Sequence, residues 1–159
     1  MVFITVGSQK FQFNRLLKAV DALIEKKVIK EEVFAQVGTS DYTPKHYKYK
    51  DFLNRDEFME VSGKAEIVIT HGGTGAIIGA VKRGKRVIAV PRLEKYGEHV
   101  DDHQKQLLKE FEQMNLISVC YDLEKLGTVF SEIRNIEFEK YESNTKTILD
   151  DIEAYITSL

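Results

Sequence analysis

The chain has 159 residues, 43% hydrophobic and 30% charged, a composition that fits one globular domain able to bury its own core. Its 23 basic and 25 acidic residues leave a formal charge of −2, so the balance gives no support for nucleic acid as a partner. Cys120 is the single cysteine, which excludes an internal disulfide and fits a reducing compartment. No apolar run approaches the roughly 20 residues that cross a bilayer. The opening MVFITVGSQK has neither the basic region nor the cleavage site of a signal peptide. The expectation is a cytoplasmic protein with no transmembrane segment of its own.

Residues 2–6 form a short apolar run that stops at Gly7 and Ser8 and reads as a first strand. From Phe13, apolar residues recur at Leu16, Leu17, Val20, Leu23 and Ile24, the spacing of a helix with one buried stripe. Residues 33–37 read as a strand ending at Gly38, 47–52 as a further short strand, and 56–64 as a helix. A strand at 67–70 leads into a helix at 74–83, where Lys82 and Arg83 followed by Gly84 mark a helix C-terminus. Residues 87–90 make the next strand, broken by Pro91; 99–111 are helical, 116–120 a strand and 123–133 a helix. Strands alternating with helices predict an α/β fold: a mostly parallel sheet with helices on both faces, its strands continuous apolar runs. One domain spans 1–159. Within it, Ile148, Ile152, Tyr155, Ile156 and Leu159 form the apolar stripe of an amphipathic helix over 137–159. That helix folds back on its own domain or docks on a partner subunit.

Ligands of such sheets sit beyond the carboxyl ends of the strands. There the sequence places His71, Gly72, Gly73, Thr74 and Gly75, between a strand and a helix. Glycine this dense weakens helices and strands, so close backbone approach by a ligand is the expected compensation. The N-terminus of a helix offers free N–H groups and a positive dipole end, which suits a diphosphate, and His71 can add a donor. A tight turn with no ligand is the alternative. Gly73, Gly75 and Gly79 spell a motif one residue longer than the dinucleotide fingerprint and far from the first strand. A nicotinamide or flavin is therefore disfavoured, and no P-loop motif occurs. After the next strand comes EHVDDHQ, residues 98–104. Carboxylate and amide side chains at a helix start suit a hydroxyl-rich ligand, and beside a diphosphate cradle they describe a nucleotide-sugar site.

Other groups have plainer readings. His99 and His103 share a helix face, but a metal site lacks a third ligand, so no metal and no cofactor are expected. Lys45, His46, Lys48 and Lys50 read as a solvated edge, with attraction to an anionic membrane as the alternative. Tyr42, Tyr47 and Tyr49 read as packing residues and Cys120 as a buried, inert thiol. Arg92 and Lys95 on the Pro91 loop meet phosphate or acceptor, or are surface charge.

VGSQ near the start, THGGTGAIIGAVKRGKRVIAVP in the middle and EHVDDHQ after it resemble the C-terminal, donor-binding domain of family 28 GT-B glycosyltransferases. The likeness covers about residues 1–125 and is greatest to stand-alone versions. These are the soluble catalytic subunit of the eukaryotic two-subunit GlcNAc transferase and its bacterial counterpart in capsule and exopolysaccharide synthesis. The resemblance implies a Rossmann-like half of a GT-B fold. It places Gly7, Ser8 and Arg92 on cleft loops, His71 and the backbone of Gly72, Gly73, Thr74 and Gly75 at the donor diphosphate, and Asp102 and Gln104 at the donor sugar. Relatives usually carry a ribose-gripping glutamate where this chain has Gly79. The implied activity is inverting transfer of a hexose, galactose first, from a UDP-sugar to a lipid-linked saccharide. A membrane-anchored subunit would bind the acceptor and hold the pair at the inner face of the membrane. The general base is unassigned, with Glu98 and His99 as candidates. Alternatives are an N-glycan-type UDP-GlcNAc transferase subunit, a non-catalytic nucleotide-sugar-binding regulatory module, and a nucleotide-sugar epimerase half.

Overall fold

The computed structural model describes residues 1–7, 11–98 and 103–139, together with Asp151 and Ala154. Six parallel strands, β1 (Val2–Thr5), β2 (Val33–Gln36), β3 (Lys48–Lys50), β4 (Ile67–Thr70), β5 (Arg86–Ala89) and β6 (Ser118–Val119), form one sheet in the order β3-β2-β1-β4-β5-β6. The helices are α1 (Asn14–Glu25), α2 (Arg55–Lys64), α3 (Thr74–Lys82), α4 (His103–Gln113) and α5 (Leu126–Glu132). The chain winds outward from β1 to β3, then starts again on the other side at β4. Thr5 lies opposite both Gln36 and Thr70, so the ends of β1, β2 and β4 are level.

Alternation along the strands feeds two cores. Val2, Ile4, Ile67, Ile69 and Ile88 pack with Leu16, Leu17 and Val20 of α1 and Leu126 and Phe130 of α5. Phe3, Val68, Val87 and Ala89 pack on the other face with Ile77 and Ile78 of α3 and Leu108 and Phe111 of α4. Each such side chain contributes about 1.5–3 kcal/mol by leaving water. The predicted two-sided sheet is therefore present, with helices on both faces as expected.

The differences lie at the edges. All three residues of β3 are exposed, Tyr49 at 40% rather than packed as expected, and two are lysines rather than part of an apolar run; lysine on an edge strand discourages pairing with a second sheet. β6 keeps only two residues. Residues 123–133 split into a 3₁₀ turn, α5 and a second 3₁₀ turn. Gly84 takes the expected left-handed conformation, φ 72°, at the end of α3. The tail helix expected from 137 does not begin there: Glu137 and Glu139 are non-helical and bond Asn115. Asp151 and Ala154 are helical, and the rest of that stretch lies outside the described residues.

Asp21 anchors the loop before β3. Buried on α1, it accepts hydrogen bonds from the Tyr42 hydroxyl, Lys45 N and His46 N. Tyr42 and Tyr47 are thus packing residues, the latter donating its hydroxyl to Leu17 O. The hydrogen bond to Asp21, with burial and the carboxylate charge adding to it, pushes the Tyr42 phenol up to about 12. A phenol whose pKa is raised by folding contributes stability present below its unfolded value and lost as pH climbs through the folded one. Urea midpoints should therefore fall between about pH 10 and 12 in the wild type. Asp21→Asn should return the Tyr42 phenolate absorbance toward pH 10, read by ultraviolet titration.

Candidate nucleotide-sugar site

The winding reverses between β1 and β4, and the crevice beyond their carboxyl ends is the ligand position of doubly wound sheets. Gly7 follows β1 there, and His71 follows β4. The His71 ring is buried, 5% exposed, with Nδ1 at 3.3 Å from Thr70 Oγ1 and 3.4 Å from Thr5 O. A carbonyl only accepts, so the bond to Thr5 assigns the hydrogen to Nδ1.

The glycines fit around this ring. A Cβ on Gly73 would lie 2.3 Å from His71 Nε2, and one on Gly7, at φ 76°, would lie 2.7 Å from the ring. A Cβ on Gly38, φ 59°, would meet Gly7 O at 2.8 Å. From sequence, ligand approach is the expected reason for the glycine density. For Gly7 and Gly73 the structure supplies a different reason, room for the imidazole. Gly75 differs: a Cβ there would meet no atom within 4 Å, and the residue is exposed on the first turn of α3.

The starts of α2 and α3 differ in chemistry. α2 has a full capping box between Asn54 and Glu57, with Asp56 and Glu57 in its first turn. α3 begins at Gly73 with no side-chain cap and no acid in its first turn. Its leading amides have no intrahelical partners, and its own first turn carries no carboxylate to oppose an incoming anion. Beside them a cleft of ≈ 130 Å³ opens between α2 and α3, lined by Phe58, Met59, Gly75, Ala76, Gly79 and Arg83. A Cβ on Gly79 would meet no atom within 4 Å.

Arg92 is neither surface charge nor a free phosphate ligand. It is 3% exposed and donates to Val6 O, Phe11 O, Gln12 O and Glu98 O. Its guanidinium lies 5.1 Å from the Phe13 ring centroid. Burial pulls its pKa down to about 10, against the charge of Glu98, so it stays cationic at neutral pH. Glu98 is 1% exposed. Both carboxylate oxygens are held by Arg15, at 2.9 and 3.0 Å, and Leu93 N donates to Oε1 at 3.0 Å. Buried, with both oxygens already engaged by Arg15, this carboxylate is not free to meet an acceptor hydroxyl, so the geometry speaks against Glu98 as general base. Lys95 and Tyr96 are exposed, the ammonium 5.0 Å from the ring centroid. Gln104 falls in the first turn of α4, its side chain outside the described structure, and Ser8, His99 and Asp102 lie outside the described residues. Among the described residues, no group of three or more His, Cys, Asp or Glu side chains could hold a metal. Cys120 is buried, and its thiol donates to Asp122 O.

The sheet order, the crevice at its reversal point and the uncapped turn define a Rossmann-like domain of the GT-B glycosyltransferase type. Residues 1–155 match the glycosyltransferase family 28 C-terminal domain, and the chain belongs to that family. Human UDP-N-acetylglucosamine transferase subunit ALG13 is 29% identical over 123 residues, covering 69% of this chain and 10% of that protein. The chain thus spans about a tenth of the curated relatives it matches. The solution structure of ALG13 superimposes with a TM-score of 0.59 at 15% identity, covering 92% of this chain and 91% of that one. Streptomyces sp. SF2575 glycosyltransferase SsfS6, complexed with thymidine diphosphate, gives 0.58 at 17% identity, covering 99% of this chain and 37% of that one.

Two alanine substitutions separate the roles of the glycines. Gly73→Ala drives a methyl into the imidazole and should cost about 1–3 kcal/mol, the range for overpacking. Gly75→Ala meets open space in a helix and should be neutral or stabilising by up to about 1 kcal/mol. Thermal unfolding of both variants measures the contrast.

Proposed function

We propose that this chain is the donor-binding catalytic subunit of a two-component inverting glycosyltransferase, moving a hexose from a UDP-sugar to a lipid-linked saccharide. The observation that carries the reading is the uncapped, acid-free start of α3 at the sheet's reversal point, in a family 28 domain. Amides at 72–75 would hold the diphosphate, and the helix dipole would offset charge on the departing UDP. His71 would set the shape of that turn from behind. The thymidine diphosphate in the SsfS6 complex is consistent with such a ligand on this fold.

An acceptor hydroxyl must lose a proton, and of the two candidates named from the sequence the Arg15–Glu98 pairing favours His99 over Glu98. A membrane-anchored partner, standing in for the N-terminal half of a GT-B enzyme, would supply the acceptor site and complete the base. Among the described residues no helix is long and apolar enough to cross a membrane, which fits anchoring by that partner. Asp102 and Gln104 would read the sugar hydroxyls. The first reading of the sugar is galactose, transferred in β-1,4 linkage in capsule or exopolysaccharide synthesis, on the resemblance to bacterial polysaccharide enzymes. N-acetylglucosamine is the second reading, favoured by the ALG13 relatives.

A thermal-shift panel of UDP, UDP-galactose, UDP-GlcNAc, UDP-glucose and UDP-glucuronate tests the proposal. A ligand at about 100 times its Kd adds about 2.7 kcal/mol of stability. The expected outcome is stabilisation by UDP and more by one UDP-sugar, with transfer to a lipid-linked acceptor only when the partner is co-expressed. No shift with any UDP compound would overturn the reading, and binding without transfer in the pair would leave a regulatory module.

A further inference from the structure

Arg92 and Arg15 are two cations at the crevice end whose arrangement the family likeness does not explain. Arg92 comes from the loop after β5, yet most of its partners belong to other segments. It bonds Val6 O at the end of β1, and Phe11 O and Gln12 O at the start of α1. It therefore clasps both ends of the loop between β1 and α1. Its bond to Glu98 O fixes the far end of its own loop, at 3.0 Å. Arg15, on α1, holds the Glu98 side chain from the other side at 2.9 Å, closing the ring of contacts. Among the described residues, Arg92 Nε is buried without a hydrogen-bond partner, so the side chain is held for its terminal nitrogens at a cost in desolvation.

This clasp connects to the diphosphate turn through a chain of contacts. Val6 precedes Gly7, Gly7 lies against the His71 ring, and the ring lies against Gly73 at the start of α3. Letting Val6 move would let Gly7 move, and the imidazole would lose one wall.

We propose that Arg92 is a positioning residue: its buried guanidinium, tying the β1–α1 loop to the loop after β5, holds Gly7 against His71 and so sets the diphosphate-binding turn. The proposal rests on the diphosphate reading of that turn. A lysine at 92 keeps the charge but lacks the planar five-donor fork, so it cannot serve four carbonyls at once.

The test compares full-length wild type, Arg92→Lys and Arg134→Met by UDP titration calorimetry and amide hydrogen exchange. Arg134 pairs with Glu31 and Glu66 at the opposite end of the sheet, so its variant reports loss of stability without loss of the clasp. Arg92→Lys should weaken UDP binding by about tenfold or more and speed exchange at Val6, Gly7 and 72–76, as misplacement of a binding group does. Arg134→Met should lower the melting temperature with UDP affinity unchanged. UDP affinity of Arg92→Lys within twofold of wild type would overturn the inference, as would faster exchange at Val6 and Gly7 with 72–76 unaffected. If Arg92→Lys does not fold, Arg15→Gln opens the same ring from the exposed side. It should weaken UDP binding severalfold, and unchanged affinity would again overturn the inference. Failure of the wild type to bind UDP is distinct from these outcomes: it removes the diphosphate reading and the inference with it.

Discussion

The imidazole of His71 occupies space that Cβ atoms at Gly7 and Gly73 would otherwise fill, and the geometry of the crevice follows from that exchange. Side chains at these positions would push β1 and α3 away from the ring. With glycine at both, the strand end, the ring and the helix start stack within van der Waals reach. Gly38 extends the stack to β2, since its own close approach is to the carbonyl of Gly7. Residues from three strand ends therefore fix where the amides of α3 begin. Close packing of this kind transmits displacement, because a dense interior has little free volume to absorb it.

The chemistry of the crevice follows from what each helix start does with its unpaired amides. α2 consumes them internally with Asn54 and Glu57. α3 leaves them for something else, in a first turn of Thr74, Gly75 and Ala76 that carries no opposing charge. The loops that flank this turn are held by a network of the buried Arg92 guanidinium, the buried Glu98 carboxylate and the partly exposed Arg15 rather than by apolar packing alone. Burying such groups is expensive unless they are paired; the terminal nitrogens of Arg92 and both oxygens of Glu98 are, while Arg92 Nε, among the described residues, is not. A network of this type specifies one loop arrangement more sharply than apolar contacts would.

Much of the fold was legible in the sequence because period and punctuation agreed. The strands at 2–6, 33–37, 67–70 and 87–90 are apolar runs bounded by glycine or proline, and the Lys82, Arg83, Gly84 signal marked the end of α3 correctly. β3 was placed but misjudged in character, because an edge strand needs no apolar face. At the site, the position of the glycine turn was readable, but the reason for its glycines was not. Seeing that Gly7 serves His71 requires knowing that two residues distant in the chain meet, which the level ends of β1 and β4 bring about. The clasp formed by Arg92 and Glu98 was out of reach of the sequence for the same reason. Arg92 reads there as a phosphate ligand or surface charge and Glu98 as a candidate base, since a charged residue in a polar loop carries no local sign of burial. Their partners Val6, Phe11, Gln12 and Arg15 come from the far end of the chain and carry no local signature.

Capture of a nucleoside diphosphate by the exposed amides at the start of α3 is the central claim. Titration of uniformly ¹⁵N-labelled protein with UDP, followed by amide resonances, tests it most directly. The largest saturable shifts should fall on Gly72, Gly73, Thr74 and Gly75, with smaller ones at Gly7. Saturable shifts confined to other residues, with those at 72–75 unmoved, would contradict it.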